Sequence, residues 1–216
     1  MTLDLFATSA TPIAEESLGP GAMVLRGFAL DEAPALLGAI DAVLAQAPLR
    51  RMVTPGGYRM SVEMSNCGSL GWITDRTGYR YDTIDPLSGE RWPPMPAAFG
   101  ALARRAADRA GFANYVPDAC LINHYAPGTK LSLHQDKDER DYAAPIVSVS
   151  LGIPAMFVFG GERRADRQQR VPVRHGDVVV WGGPARLRYH GVLPLKHDQH
   201  ALLGPWRYNL TLRKAG

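Results

Sequence analysis

Three residues of the chain have the types and the spacing of a metal site. His134 and Asp136 stand two positions apart, and in an extended strand such side chains point to the same face. His190, on a later segment, can supply a third ligand. Two imidazoles and one carboxylate on one side of a metal leave adjacent positions open, a geometry that suits non-haem Fe(II) oxygen chemistry. The pattern predicts an iron site with these three residues as metal ligands and catalytic residues, although a single His-x-Asp also fits a surface turn.

The segment 207–213 separates polar from apolar side chains. Strand alternation puts four polar side chains on one face and apolar or aromatic ones on the other; the polar ones are Arg207, Asn209, Thr211 and Arg213. Two guanidiniums and an amide on one face can clamp a dicarboxylate through charge-assisted hydrogen bonds. The alternative is an amphipathic edge strand with exposed arginines. The order of these features along the chain favours a metal site with a dicarboxylate site beside it.

Composition predicts one globular domain. The chain has 216 residues, of which 46% are hydrophobic, enough for a single core. No stretch approaches 18 uncharged apolar residues, and the start lacks a basic-then-apolar signal pattern, so we expect a cytoplasmic protein outside the membrane. The two cysteines, Cys67 and Cys120, form no framework and are expected to be reduced, buried thiols.

Charge is distributed unevenly along the chain. Residues 1–49 contain one Arg and six acidic residues, whereas residues 50–216 contain 23 basic residues against 15 acidic ones. The basic part also contains the predicted metal site. Ordinary solvated surface explains such an imbalance. The more specific interpretation is a surface that binds the phosphates of a nucleic acid. Composition alone is consistent with both interpretations.

Hydrophobic periodicity indicates two helices. Asp31 is expected to cap the first, whose apolar stripe is Leu36, Leu37, Ile40, Val43 and Leu44. The second is expected over 96–110, ending at Gly111. Its inward side chains would be Phe99, Leu102, Ala103 and Ala106.

Short strands separated by Pro and Gly turns account for most of the remaining chain. They are expected at 22–28, 58–64, 119–125, 130–134, 146–151, 155–160, 170–173, 177–182, 187–191 and 206–213. About eight such strands after residue 119 predict a double-stranded β-helix, or jelly roll, so the fold class is mainly β with flanking helices (α+β). Within residues 1–216 as a single domain we expect three parts. They are an N-terminal strand and helix (1–49), a substrate-recognition lid with a supporting helix (50–110) and a catalytic jelly roll (111–216).

Several runs of residues carry a family resemblance. They are Asn-His-Tyr-Ala-Pro-Gly-Thr-Lys-Leu-Ser-Leu-His-Gln-Asp-Lys-Asp-Glu (123–139), Ile-Val-Ser-Val-Ser-Leu-Gly (146–152), His-Gly-Asp-Val-Val-Val-Trp-Gly-Gly (175–183) and Arg-Tyr-Asn-Leu-Thr-Leu-Arg (207–213). Together they resemble the AlkB family of iron- and 2-oxoglutarate-dependent dioxygenases. Met-Val-Thr-Pro-Gly-Gly-Tyr (52–58) and Pro-Asp-Ala-Cys-Leu-Ile-Asn (117–123) are similar to its bacterial DNA-repair branch. The resemblance runs from about residue 3 to the end of the chain.

The resemblance implies how the cofactors are held. Fe(II) is the metal, and 2-oxoglutarate would chelate it through the keto oxygen and the C1 carboxylate, with O2 as the other cosubstrate. The far carboxylate of 2-oxoglutarate would meet Arg207, with Tyr125 assisting. The remaining cofactor-binding residues would be Asn123, Asn209 and Arg213.

The resemblance also implies a substrate. The expected reaction is oxidative demethylation of N1-methyladenine and N3-methylcytosine in DNA, a direct-reversal repair that releases formaldehyde, succinate and CO2. The residues implied to contact substrate are Trp72, Tyr79, Tyr81, Asp138, Glu139 and Arg164. Such bases are cationic and cannot pair normally, so flipping them out costs less than flipping an intact base. Trp72 could stack on the flipped base opposite the His134 ring, with Asp138 near its positive charge, although packing within the lid also explains the aromatic residues.

Two alternatives remain open at the level of sequence. The same chemistry could act on RNA or on a protein side chain. The chain could instead be a non-enzymatic, cupin-like metal-binding module, against which Arg207 and Arg213 argue, since a closed structural zinc site needs four protein ligands. The expected partner is alkylated DNA, preferably single-stranded, and the expected state is a monomer.

Overall fold

The computed structural model describes residues 14–216, so residues 1–13 of the predicted N-terminal part, where the family resemblance begins, lie outside the described residues. The described residues form thirteen strands, two α-helices and one short 3-10 helix (Gly183–Ala185). The strands are β1 (Glu15–Gly19), β2 (Ala22–Leu25), β3 (Glu63–Gly68), β4 (Gly71–Asp75), β5 (Gly78–Asp82), β6 (Ala119–Tyr125), β7 (Leu131–His134), β8 (Ile146–Gly152), β9 (Ala155–Phe159), β10 (Gln169–Val173), β11 (Val178–Trp181), β12 (His190–Val192) and β13 (Arg207–Arg213). The helices are α1 (Ala33–Leu44) and α2 (Ala97–Arg109). Both helices and all the strands predicted after residue 119 are confirmed, with their ends shifted by at most three residues.

The larger sheet separates an apolar face from a polar one. Its order is β1-β2-β11-β8-β13-β6-β3, and all neighbouring strands are antiparallel. Leu210 and Leu212 of β13 lie in one buried cluster with Leu36 of α1 and Phe99 of α2. Because side chains alternate along a strand, the polar side chains of β13 point away from the helices and toward the interior of the sandwich.

A smaller sheet, ordered β10-β9-β12-β7, covers that interior. A second cluster lies between the two sheets and includes Phe157 and Phe159 of β9 and Trp181 of β11. Two facing antiparallel sheets with helices on one outer face form the predicted jelly roll, and the fold class is confirmed. Within residues 14–216, no helix combines the length and the apolar character needed to cross a lipid bilayer.

A hairpin of β4 and β5 forms a third, two-stranded sheet, which sequence periodicity did not predict. A Cβ at Gly71 would lie 2.4 Å from the ring of Trp92, so only glycine allows this hairpin to approach so closely. The predicted strand at 58–64 is wrong, because the strand begins at Glu63 and the preceding segment forms only an isolated bridge between Val53 and Arg59.

Two local predictions, one on the start of α1 and one on the cysteines, have different outcomes. The predicted Asp31 cap is wrong: Glu32 occupies the cap position of α1, and no side chain makes a capping hydrogen bond there. Cys67 and Cys120 are free and buried, as expected, and they face each other as partners in strands β3 and β6.

Candidate metal and cosubstrate site

The smaller sheet brings the three predicted metal ligands together. His134 ends β7, His190 begins β12, and the two are directly paired across these strands. Asp136 follows β7 by two residues, and its carboxylate lies 3.6 Å from Nε2 of each histidine. One potential ligand atom from each residue lies within 4.8 Å of the others. Three such atoms on one side of a point can hold one metal ion.

Backbone carbonyls orient both imidazoles. His134 Nδ1 lies 2.8 Å from the carbonyl oxygen of Ser132, and His190 Nδ1 lies 3.0 Å from that of Arg188. Because a carbonyl can only accept, each Nδ1 carries the proton, and each Nε2 lone pair is free for a metal. Removal from bulk water and the neighbouring His190 lower the pKa of His134 to about 4, which keeps its ring neutral near pH 7.

Arg213 holds the carboxylate of Asp136. Its Nε and Nη2 donate to the same oxygen, Oδ2, at 3.0 and 2.7 Å. Burial by itself would raise the pKa of Asp136, but the charge of Arg213 and the proximity of His190 outweigh it and hold that pKa well below its ordinary value. The carboxylate is therefore ionised and fixed. Arg213, expected from sequence to help bind the dicarboxylate, contacts this carboxylate in the structure.

Arg207 lies on the inner face of the larger sheet and is 2% exposed. Its Nη2 donates to Ser150 Oγ at 3.0 Å, and its guanidinium lies 4.9 Å from the centre of the Tyr125 ring. Among residues 14–216, no carboxylate lies within ion-pair distance of Arg207, and its Nε and Nη1 have no hydrogen-bond partner. Burial lowers the pKa of Arg207, and an unpaired buried cation is costly, so this group is suited to binding an anion.

Tyr125 and Asn123 add polar atoms to the surroundings of Arg207. In the described part of the chain, the Tyr125 hydroxyl and Asn123 Oδ1 are buried without a hydrogen-bond partner. Burial raises the pKa of Tyr125 to about 12, so its hydroxyl stays protonated and can donate. We call Arg207, Tyr125 and Asn123 the anion pocket. Asn209, by contrast, is engaged, because its Nδ2 donates to Ser148 Oγ at 2.8 Å and to the Val149 carbonyl at 2.9 Å.

One cavity of about 670 Å³ connects the metal ligands to the anion pocket. Its volume is that of a site for a small molecule rather than a packing defect. The unpaired donors of Arg207 and Tyr125 fit the far carboxylate of a dicarboxylate, and the His-Asp-His set fits a divalent metal with open positions. The residues present therefore fit both groups that the sequence predicts.

Comparison with known proteins decides the family. Residues 21–213 match the 2OG-Fe(II) oxygenase superfamily. Over 213 residues the chain is 60% identical to the alpha-ketoglutarate-dependent dioxygenase AlkB of Salmonella typhimurium, covering 99% of this chain and 98% of that relative. The chain belongs to the AlkB family of 2OG-Fe(II) oxygenases.

More distant AlkB-type proteins extend the likeness. A relative from Arabidopsis thaliana, named DNA N(6)-methyladenine demethylase ALKBH1C, is 31% identical over 187 residues, which cover 73% of this chain and 41% of the relative. The solved structure of OsALKBH1 superposes with a TM-score of 0.79 at 29% identity, covering 93% of this chain and all of that one. The predicted family, the enzyme class of 2-oxoglutarate-dependent dioxygenase, and Fe(II), 2-oxoglutarate and O2 as cofactor and cosubstrates are confirmed.

The outer wall of the cavity in this AlkB-family chain comes from the β4–β5 hairpin, the segment after β7 and the loop between β9 and β10. Four of the residues predicted to bind substrate line it: Trp72, Tyr79, Asp138 and Arg164. The rings of Trp72 and Tyr79 are stacked, with centres 5.8 Å apart. Arg164 Nη1 donates to the Leu133 carbonyl at 2.8 Å.

Tyr81 and Glu139, the other two residues implied to contact substrate, do not line the cavity. Tyr81 donates its hydroxyl to Glu139 Oε1 at 2.8 Å, and the Glu139 side chain is 1% exposed. In the structure, the two side chains contact each other and Arg213, behind the metal ligands.

Sequence reasoning missed other residues of the site. Ser148 and Ser150 hold Asn209 and Arg207. Their signal was present, since polar residues that alternate with apolar ones in a buried strand indicate a polar interior. Arg186, whose Nη1 donates to the Asp136 carbonyl at 2.8 Å, lies in a loop before β12 and carried no such signal.

Proposed function

We propose that the protein removes N-alkyl groups from damaged DNA bases by Fe(II)- and 2-oxoglutarate-dependent oxidation, with N1-methyladenine and N3-methylcytosine as substrates. The observation that carries this proposal is the single cavity that joins three sets of groups. It contains the His-Asp-His set, the anion pocket on one side, and an aromatic and acidic wall on the other.

His134, Asp136 and His190 would hold the metal, with two neutral imidazoles and one ionised carboxylate. When bound, the iron would supply an oxidation in which one oxygen atom of O2 goes into succinate, formed with CO2 from 2-oxoglutarate, and the other becomes the hydroxyl group on the N-methyl carbon. The chain's residues bind, orient and shield the reactants. The hydroxymethyl adduct on the base then releases formaldehyde, which restores the original base.

The anion pocket would bind the far carboxylate of 2-oxoglutarate. Arg207 offers the unpaired N–H groups of Nε and Nη1, and charge-assisted hydrogen bonds from a guanidinium to a carboxylate are strong. The Tyr125 hydroxyl would add a neutral donor. Asn123 would lie beside the cosubstrate, and Asn209 would support the pocket by accepting a hydrogen bond from Asn123 Nδ2 at 3.3 Å. In this arrangement Arg213 would contribute through its contact with Asp136.

The outer wall would receive the flipped base. Trp72 offers a ring for stacking, which is worth about 1–3 kcal/mol per base, and the half-exposed His134 ring can lie against the opposite face. Asp138 carries a negative charge on this wall, which favours a cationic methylated base over a neutral one. Tyr79 and Arg164 would contact neighbouring phosphates or base edges. Tyr81 is hydrogen-bonded to Glu139, and this position supports a role in holding the wall from behind rather than in contacting the base.

A nucleic-acid substrate is supported by the excess of basic residues after residue 49 and by the Arabidopsis relative named as a DNA demethylase. Single-stranded DNA is the proposed form, because a base there is already unpaired and costs less to flip. The proposed state is a monomer, since one chain supplies the metal ligands, the anion pocket and the outer wall. The proposed compartment is the cytoplasm, which suits two free thiols.

Measurement of formaldehyde and succinate release tests the proposal. The substrates are N3-methylcytosine in single- and double-stranded DNA and in RNA, and a methylated peptide, each at fixed salt because phosphate contacts are salt-dependent. We expect stoichiometric release of both products on DNA, fastest on single strands, and none with His134→Ala. Faster turnover on RNA or on the peptide would show that RNA or protein, rather than DNA, is the substrate class. Absence of product on every substrate, with metal bound, would overturn the proposed substrate class.

A further inference from the structure

Four buried charged side chains form a closed ring behind the metal ligands. Asp136 pairs with Arg213 at 2.7 Å, Arg213 with Glu139 at 3.3 Å, and Glu139 with Arg186 at 3.1 Å. Arg186 closes the ring by donating from Nη1 to the backbone carbonyl of Asp136 at 2.8 Å. We propose that Glu139 and Arg186 are positioning residues that fix the metal-binding carboxylate of Asp136, an inference that rests on the proposed metal site.

Arg213 determines how the carboxylate of Asp136 is presented. Both of its donors meet Oδ2, so Oδ1 is left on the side of His134 Nε2, 3.6 Å away. This selection depends on the orientation of the guanidinium. Glu139 Oε1 lies 3.3 Å from Arg213 Nε, the nitrogen that donates to Asp136, so its charge holds the guanidinium in this orientation. Loss of the Glu139 charge would let Arg213 turn and Asp136 rotate with it.

Arg186 contacts both ends of the segment 136–139, which contains the candidate metal ligand Asp136. Its Nη2 meets Glu139 Oε2, its Nη1 meets the Asp136 carbonyl, and its Nε donates to the Ala144 carbonyl at 3.1 Å. The residue is 3% exposed. A guanidinium can reach three acceptors at once, whereas an ammonium is a point charge without this fork. Arg186 therefore holds the backbone of Asp136 and the side chain of Glu139 in one fixed relation.

The charges of the ring also matter for the metal. Two arginines and two carboxylates balance within it. Replacement of Glu139 by a neutral side chain leaves one uncompensated positive charge beside the site of a divalent cation, in a region where water screens little. Both geometry and charge thus predict weaker metal binding without Glu139.

Glu139 differs in this respect from its neighbour Asp138. Asp138 is exposed and lines the cavity, where it can meet a base. Both carboxylate oxygens of Glu139 face arginines, and Oε1 also accepts from Tyr81. Tyr81 belongs to β5. Glu139 therefore connects the β4–β5 hairpin, through Arg213, to the carboxylate of Asp136.

Titration of the metal-free protein with Mn²⁺, followed by the EPR signal of free Mn²⁺, tests the inference without turnover. Glu139→Gln and Arg186→Met should each weaken Mn²⁺ binding by about 10–100-fold, the usual effect of removing a group that orients a metal ligand. Arg186→Lys should recover part of this loss, because it restores the charge without the fork. The matched control is Asp85→Asn, which changes a buried carboxylate paired with Arg50 at 2.6 Å, outside the cavity. It should leave Mn²⁺ affinity unchanged even where it lowers the unfolding midpoint.

The outcomes separate this inference from the proposed metal site. If His134→Ala binds Mn²⁺ as well as the unaltered protein, the metal site itself is wrong. If His134→Ala loses binding while folded Glu139→Gln keeps the original affinity, only the positioning role is wrong. Should Glu139→Gln fail to fold, Arg186→Lys carries the test, and unchanged Mn²⁺ affinity in that variant overturns the inference.

Discussion

The indole Nε1 of Trp72 donates a hydrogen bond to Oδ2 of Asp138 at 2.8 Å. The ring proposed to stack on the base and the charge proposed to select it are therefore held together, although 66 positions separate them in sequence. Truncation of either side chain would release the other. Asp138→Asn removes the charge but keeps an acceptor, whereas Trp72→Ala and Trp72→Phe both lose the donor and differ only in the ring, so these substitutions separate charge from stacking.

Asp138→Asn should reduce the preference for cationic bases. The amide oxygen can still accept from Trp72, but the negative charge is lost, so activity on N3-methylcytosine should fall toward that on neutral N3-methylthymine. The measurement is kcat/KM on both oligonucleotides at fixed salt. An unchanged ratio would show that Asp138 acts only by holding Trp72.

Trp72→Ala should act differently. Stacking is available to any base and is worth about 1–3 kcal/mol, so its loss should lower kcat/KM on all methylated bases by similar factors. Trp72→Phe, which retains a ring but not the donor, is the matched control and should recover most of the activity. A Trp72→Ala protein that loses activity on one base alone would contradict the stacking role.

Arg207→Ala should raise the KM for 2-oxoglutarate while leaving Mn²⁺ affinity nearly unchanged. Loss of one partner in a buried, charge-assisted pair costs about 2–5 kcal/mol, which corresponds to about 30-fold or more in KM. Arg207→Lys keeps the positive charge but not the planar guanidinium, so its KM for 2-oxoglutarate should lie between those of the unaltered protein and Arg207→Ala. An unchanged KM in Arg207→Ala would place the dicarboxylate elsewhere.

Asp136→Ala and His134→Ala should both abolish turnover but should differ in stability. His134 is half-buried at the cavity wall, so its removal should change the free energy of unfolding little. Asp136 is buried against Arg213, and breaking a buried ion pair costs up to about 3–5 kcal/mol. Urea unfolding of the metal-free variants measures this difference. Full demethylase activity in Asp136→Ala would rule out its role as a ligand.

The His134 ring should titrate near pH 4 in the metal-free protein rather than near its ordinary value of 6.5. Between these values the unfolded chain binds more protons at this residue than the folded chain does. The contribution of His134 to stability is therefore full above about pH 6.5 and falls as the pH drops toward 4. NMR of the ring protons, assigned by comparison with His134→Asn, gives the midpoint. A midpoint near 6.5 would show that burial and the neighbouring His190 do not lower the pKa of His134.

Alternation along strands made much of this site readable from the sequence. The period of two in β13 placed Arg207 and Asn209 on one face before any pairing was known, and the same period placed His134 and Asp136 together. These predictions depend only on local backbone geometry. Strand alternation did not predict the position of the β4–β5 hairpin. Its close approach to the domain depends on Gly71 packing against Trp92, a contact that no periodicity encodes.

The sequence by itself determined the jelly roll, the candidate metal ligands and the residues of the anion pocket. Only the tertiary structure decided which partners the charged groups take. Arg207 and Arg213 are on the same face of one strand, yet Arg213 meets Asp136, while Arg207 lies beside Tyr125 and Ser150. Asp138 and Glu139 are adjacent, yet one lines the cavity and the other lies buried between two arginines. Residue type specifies a charge, but its partner is fixed by which distant segments the folded chain brings within about 3 Å and shields from water.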